Sequence, residues 1–288
     1  MLPNARVCLY PRDPAEAVRV MVEHGKRALV MAGGTTTAMS KDPGFDTLID
    51  LTRMGCDRIE LVGGEWRIGC NVRLHDLGVH PGIRKLWSGV LSDAARAVGS
   101  RPLRNAITLG GNVVGLFRWS DTPVALLAMD AVFDLVGPDG TRSLEADAFF
   151  ARHPRQVMQA GELLAGVRIA SDDPHGCGAF CKYARTEVDL AVVDVAACLQ
   201  IDEQGRCSKA RIAVGGTRAV PWRAEQAEKK LLGSKLTRRT IESAAATAKQ
   251  EGKVLSDVRT DRDYRERMIE VIAGRTIERA AASCKERG

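Results

Sequence analysis

The sequence lacks any apolar run approaching the roughly 18 residues that a bilayer-spanning helix needs. The longest candidate, Val124 to Val136, is broken by Asp130 and Asp134. The opening MLPNARVCLYPRDP carries prolines and charges where a signal peptide would carry its apolar stretch. A soluble, cytoplasmic protein is the expectation. Aromatic residues are scarce at 5%, and 42 Lys plus Arg against 36 Asp plus Glu leave a net charge of only +6, dispersed along the chain. Without a basic stripe interleaved with stacking aromatics, nucleic-acid binding has no support. GxGxxG and the Walker A spelling are both absent, which removes the Rossmann dinucleotide site and the phosphate-loop ATPase. There is no CxxC. His175, Cys177 and Cys181 are close in sequence, but no second cluster completes a four-ligand metal set. Self-similar repeats are absent.

What is present is ordinary globular composition: 288 residues, 45% hydrophobic, enough for one large domain or two to three small ones. Most of the eight cysteines sit in apparent strands, where a reduced thiol acts as a small buried apolar group suited to a reducing compartment.

Three segments differ in pattern. Val7 to Leu51 reads as strand, helix, strand, turn and strand, a βαβ-like unit. Asp13-Pro14 opens its helix with an N-cap and a proline at the first position. From Ile59 the period becomes two: IELV, Gly63-Gly64 and WRIGCNV form a hairpin. Leu91 to Val98 and Pro123 to Met129 read as helices, and Ile107 to Val114 as an extended stretch broken by Gly110-Gly111. Val132 to Leu144 forms a hairpin turning at Pro138-Asp139-Gly140, and Val167 to Ala170 is a strand. After polar Ser171 to Pro174, Ala191 to Ile201 and Ala210 to Gly215 read as strands. Arg223 to Leu232, Arg238 to Glu251 and a helix from Asp261 follow, the last with Tyr264, Met268, Val271 and Ile272 on one face. Gly215-Gly216-Thr217 reads as a strand terminus. The predicted architecture is α+β in three parts, 1–55, 56–173 and 174–288.

Two glycine-rich stretches carry the chemistry. Ala32-Gly33-Gly34-Thr35-Thr36-Thr37 follows a strand, and Thr108-Leu109-Gly110-Gly111-Asn112 lies far along the chain. Glycine permits positive φ and removes the Cβ, so N–H groups converge on an anion at close range. Two such turns from different subdomains would clamp a diphosphate. Singly, each reads as a tight turn.

Taken in order, AGGTT at 32–36, RNAITLGGN at 104–112, Asp121, then FCKYAR at 180–185 with Asp189-Leu190-Ala191, and finally Ser256-Asp257 and Asp263-Tyr264-Arg265 resemble a known pattern. It is that of the FAD-binding (medium) subunits of the molybdenum hydroxylase and xanthine dehydrogenase family. The medium subunit of aerobic carbon monoxide dehydrogenase is one of its members. The resemblance covers almost the whole chain. It implies a two-subdomain FAD-binding fold of the vanillyl-alcohol-oxidase/PCMH type, followed by a C-terminal α+β domain. By the same resemblance Val30, Met31, Ala32, Gly33, Gly34, Thr35, Thr36 and Thr37, with Thr108, Gly110, Gly111 and Asn112, would hold the FAD diphosphate. Asp121 would accept from cofactor hydroxyls, Lys182 would set positive charge near the flavin's polar edge, and Leu164 and Phe180 would be apolar contacts. Phe180 reads equally as a plain core residue.

The resemblance further implies a molybdenum cofactor on a large partner subunit and [2Fe–2S] clusters on a small one, in a dimer of heterotrimers. The cysteine patterns for such clusters are missing here. Two departures stand out. Relatives carry an acid or serine where Thr36 stands, and small residues and proline where this chain has the bulky 113–120 segment, which would alter access to the flavin. No cysteine-rich insertion follows Gly111, so the extra cluster of the 4-hydroxybenzoyl-CoA reductases is not expected. The rival readings are a free-standing FAD oxidoreductase of the same fold, a scaffold that has lost FAD, and a phosphate-loop nucleotide binder. The first needs its own base, and His24, His75, His80, His153 and His175 flank no recognisable pocket.

Overall fold

A computed structural model describes residues 5–37, 44–171 and 176–287. Backbone contacts divide the chain into two compact units: Met1–Asp76 with Arg101–Leu116 and Ala131–Ala170, and Leu77–Ser100 with Phe117–Asp130 and Ser171–Gly288.

The first unit holds two sheets. Strands β1 (Val7–Leu9), β2 (Ala28–Met31) and β3 (Thr47–Asp50) form a parallel sheet in the order β1-β3-β2. The connecting helix Pro14–His24 starts as its sequence dictates. The Asp13 side chain accepts from the Glu16 N–H at 2.8 Å, and Pro14 occupies the first position, where no N–H is needed. This helix also packs on the second sheet, which joins the two sheets into one body. The second sheet is antiparallel, with β4 (Ile59–Val62), β5 (Glu65–Gly69), β6 (Val132–Gly137), β7 (Gly140–Glu145) and β8 (Leu163–Ala170) in the order β4-β5-β8-β6-β7. Phe133, Phe149 and Phe150 stack in its core, with ring centroids of Phe133 and Phe149 4.1 Å apart.

The second unit is built on one antiparallel sheet, β9 (Gly176–Tyr183), β10 (Val193–Ile201), β11 (Cys207–Gly215) and β12 (Trp222–Arg223), in the order β12-β11-β10-β9. Strand side chains alternate between faces. Val193, Val195, Ala197 and Leu199 therefore enter an apolar core with helices Arg238–Glu251 and Arg262–Arg287. The other face of β10 meets helices Val90–Ala97 and Asp121–Ala128. β11 ends at Gly215, as its sequence reads, and Gly216 turns away with φ +75°.

Two sequence expectations are corrected. Leu109–Val114 is helix, not extended backbone: Thr108 caps it, its side chain accepting from the Gly111 N–H at 3.0 Å. The last helix keeps its expected apolar stripe only in part: Ile272 is buried and Met268 packs on the core, but Val271 does not. Arg265, Ile269, Ile272, Ala273, Thr276 and Ile277 point inward, while Val271 is 40% exposed. Six of the eight cysteines are free thiols, in line with the sequence reading. Cys177 of β9 and Cys284 of the last helix are joined in a disulfide, their Cα atoms 5.1 Å apart. His175 and the polar 172–174 stretch lie outside the described residues. Among the described residues, no helix is long and apolar enough to cross a membrane.

Candidate functional site

In the first unit the first glycine stretch comes up against Ala106, two residues before the second. Val30 and Met31 end strand β2, and Ala32 to Thr37 turn away from it with Gly34 at φ +72°. Gly33 lies so close to the Ala106 carbonyl that a Cβ would run into it. Only glycine permits this approach of one backbone to another. Arg73 stands beside the same spot. Its guanidinium donates to the Ala106 carbonyl at 2.5 Å, and its backbone forms a bridge with Thr108. Nothing in the local spelling around Arg73 flags it.

The expectation that 108–112 turns free N–H donors to an anion is corrected by its hydrogen bonds. The N–H groups of Leu109 and Gly110 donate to the carbonyls of Val72 and Cys70, each at 2.8 Å. Those of Gly111 and Asn112 donate to the Thr108 hydroxyl and carbonyl at 3.0 and 2.9 Å. Thr108 is buried and engaged as a cap, and Gly110 packs on Cys70. The stretch is therefore not a ring of open donors; Gly111 is exposed and Asn112 half-buried. Leu164 of β8 is 2% exposed, paired across the sheet with Leu135.

In the second unit, Asp121 begins the helix Asp121–Ala128, where the helix dipole favours a negative charge. Its Oδ2 accepts from Lys182 Nζ at 3.1 Å across 61 residues of sequence, and the same ammonium donates to the Ala97 carbonyl at 2.8 Å. Asp121 is 3% exposed and its Oδ1 has no hydrogen-bond partner. Burial pushes this carboxyl up to about 6, against the opposing pull of the Lys182 charge. Phe180 shares the Lys182 face of β9 and is buried.

The bulky 113–120 segment is anchored within the second unit from Phe117 onward. Phe117 and Trp119 stack with centroids 5.3 Å apart, and Arg259 lies over the Trp119 ring. The charge of Arg118 is met by Asp257 at 3.2 Å.

Two family models match the chain. The profile of the FAD binding domain in molybdopterin dehydrogenase matches residues 4–171, and that of the CO dehydrogenase flavoprotein C-terminal domain matches residues 178–280. The chain belongs to the FAD-binding medium subunits of the molybdenum hydroxylase family and is an oxidoreductase flavoprotein subunit. Its α+β fold is the one this family adopts. The alpha subunit of the 6-hydroxypseudooxynicotine dehydrogenase complex of Paenarthrobacter nicotinovorans is 30% identical over 272 residues, covering 92% of this chain and 90% of that one. Among solved structures, carbon monoxide dehydrogenase from Hydrogenophaga pseudoflava, in a form lacking the Mo-pyranopterin moiety of the molybdenum cofactor, matches with TM-score 0.91. The identity is 28%, over 99% of this chain and 100% of that chain. Quinoline 2-oxidoreductase from Pseudomonas putida 86 matches with TM-score 0.88 and 26% identity, over 97% of this chain and 98% of that chain.

The residues present fit FAD. The first unit offers a glycine corner free of side chains with a guanidinium beside it, which suits a diphosphate. The second offers a buried carboxylate oxygen without a donor, which suits a cofactor hydroxyl.

Proposed function

We propose that this chain carries electrons within a cytoplasmic, heterotrimeric molybdenum-containing hydroxylase or dehydrogenase assembled as a dimer of heterotrimers. A large partner subunit holds the molybdenum cofactor and oxidises the organic substrate. A small partner subunit holds [2Fe–2S] clusters that deliver the electrons to this chain, and an external acceptor removes them. Alone, the chain is inactive on the organic substrate. The relatives' names support assembly into such complexes, and the six free thiols suit a reducing compartment.

When bound, FAD supplies the two-electron redox chemistry; the protein binds, orients and shields it. From the first unit the proposed contacts are Val30 to Thr37, Gly111 and Asn112, with buried Thr108, Gly110 and Leu164 supporting them from behind, and Arg73 is added as the counter-charge for phosphate. From the second they are Asp121, Phe180 and Lys182. Asp121 Oδ1 accepts from a hydroxyl, Lys182 places one positive charge, and Phe180 provides apolar wall.

The observation that carries this reading is the buried Asp121–Lys182 pair with one carboxylate oxygen unmet. A carboxylate oxygen carries two lone pairs, so Oδ1 keeps room for a cofactor hydroxyl beside any contact from the protein. The isolated chain mixed with FAD should acquire bound-flavin absorbance and turn over no organic substrate. Co-expressed with its partners, it should co-purify with a molybdenum-containing chain and a ferredoxin-like chain. A chain that stays colourless with FAD, or whose flavin is reduced by an organic substrate with no partner present, overturns the proposal.

A further inference from the structure

Strand β10 reads Val193-Asp194-Val195-Ala196-Ala197, one acid in an otherwise apolar strand. The antiparallel register sets Lys182 of β9 directly opposite Asp194 on one side and Gly215 of β11 opposite it on the other. Directly opposed residues share a face, here the face covered by the helix Asp121–Ala128.

Asp194 is 0% exposed. The groups that face it are few. The helix contributes Asp121, whose carboxyl interacts electrostatically with that of Asp194, and Val124. β9 contributes Lys182, already held by Asp121 Oδ2 and by the Ala97 carbonyl of the helix Val90–Ala97. β11 contributes no side chain at all: a Cβ on Gly215 would collide with both Asp194 Oδ1 and Val124 Cγ2. The space above Gly215 is thus filled by the Asp194 carboxyl and the Val124 side chain.

Three carboxyl oxygens of this pair, both of Asp194 and Oδ1 of Asp121, have no donor. Two neighbouring ionised carboxylates, only one of them paired with the ammonium and both shielded from water, repel each other at high cost. One proton resolves the conflict by turning one carboxyl into a donor and leaving the other as acceptor. Burial, and then the charge of Asp121, push the Asp194 carboxyl well above the usual carboxylate range, so the proton stays on Asp194.

We propose that Asp194 is a positioning residue: as a neutral acid it donates a hydrogen bond to Asp121 and so holds Asp121, ionised, on Lys182. Its importance for flavin rests on the reading that Asp121 and Lys182 contact FAD. Its protonation does not, which separates the two tests.

Infrared difference spectra of the flavin-free chain at neutral pH, wild type minus Asp194→Asn, should show a protonated-carboxyl C=O band present only in the wild type. A wild type without that band overturns the proposal whether or not the chain binds FAD. For function, FAD dissociation constants are measured across pH by flavin fluorescence. Asn keeps an N–H donor, so Asp194→Asn should bind FAD within about threefold of the wild type. Asp194→Leu removes the donor and should weaken binding by roughly tenfold, as expected for a lost bond to a charged group. The pH midpoint of binding should also move upward in Asp194→Leu, because Asp121 then ionises with less help. Equal impairment by Asn and Leu, or a Leu profile that coincides with the wild type, overturns the proposal. Should Asp194→Leu not fold, the infrared band and the Asn variant decide the matter. A wild type that binds no flavin refutes the functional reading while the band still decides this one.

Discussion

At the scale of single residues, glycine separates two effects that its composition conflates. Gly63 has φ +61° with nothing within 4 Å of an added Cβ, so Gly63→Ala strains only the backbone and should cost about 1 kcal/mol. Gly33→Ala instead drives a methyl into the Ala106 carbonyl, which is backbone and yields little. It should cost about 2–3 kcal/mol, in the range of overpacked sites. Urea midpoints of the two variants check this, and equal losses would remove the steric account. Arg73 tests the phosphate assignment. Arg73→Gln should weaken FAD and ADP binding by roughly tenfold, the scale of a charge-assisted bond, and leave riboflavin, which has no phosphate, unaffected. A parallel loss of riboflavin would make Arg73 merely structural. Both glycine pairs are visible in the sequence. Asp121 and Lys182 are visible only as parts of an ordered pattern, because the fold brings them together across 61 residues. Arg73 has no sequence signal. Asp194 has one, an acid where the strand period demands an apolar residue, and that exception marks where the apolar pattern gives way to a site.

At the scale of elements, hairpins and amphipathic helices are legible because their periods and turn residues are local. The 107–114 stretch is not. Consecutive glycines lower helix propensity and favour an extended reading, whereas the deciding interaction is the Thr108 hydroxyl on the Gly111 N–H. Thr108→Ala should therefore cost about 1 kcal/mol, a typical cap, and Thr108→Ser much less. Thermal midpoints of the two variants check the difference. Equal losses would mean that the cap is not what holds this helix. Strand β9 escapes notice for a related reason: Gly176 and Gly178 interrupt its apolar pattern, and Gly178 is needed because the Trp87 carbonyl and Val90 press against it. In the last helix the phase slips because Arg265 looks like surface. It is buried, its guanidinium donating to Leu255 O and Asp257.

At the scale of the whole molecule, two acid clusters set stability against pH in opposite senses. Burial alone would raise the Asp257 carboxyl, but hydrogen bonds from Arg259 and Arg265 reverse this and hold it far below the usual carboxylate range. A depressed acid contributes stability above the unfolded value of about 4, and that contribution fades as pH falls toward the folded value. Asp121 behaves the other way. Raised from 3.8 to about 6, it contributes fully below the unfolded value and loses that contribution as pH climbs through its folded value, a change of about 3 kcal/mol if taken alone. Asp194, also raised, adds to the same decline. The flavin-free chain should accordingly be most stable near about pH 4 and weaken toward pH 8. Asp194→Asn has no proton to lose and still donates to Asp121, so its stability should fall less over that interval. The gap between the two proteins should widen steadily with pH in denaturant titrations. A gap that stays constant from pH 5 to 8 would mean that Asp194 binds its proton no more tightly folded than unfolded, and the neutral acid at the centre of this sheet would have to be abandoned.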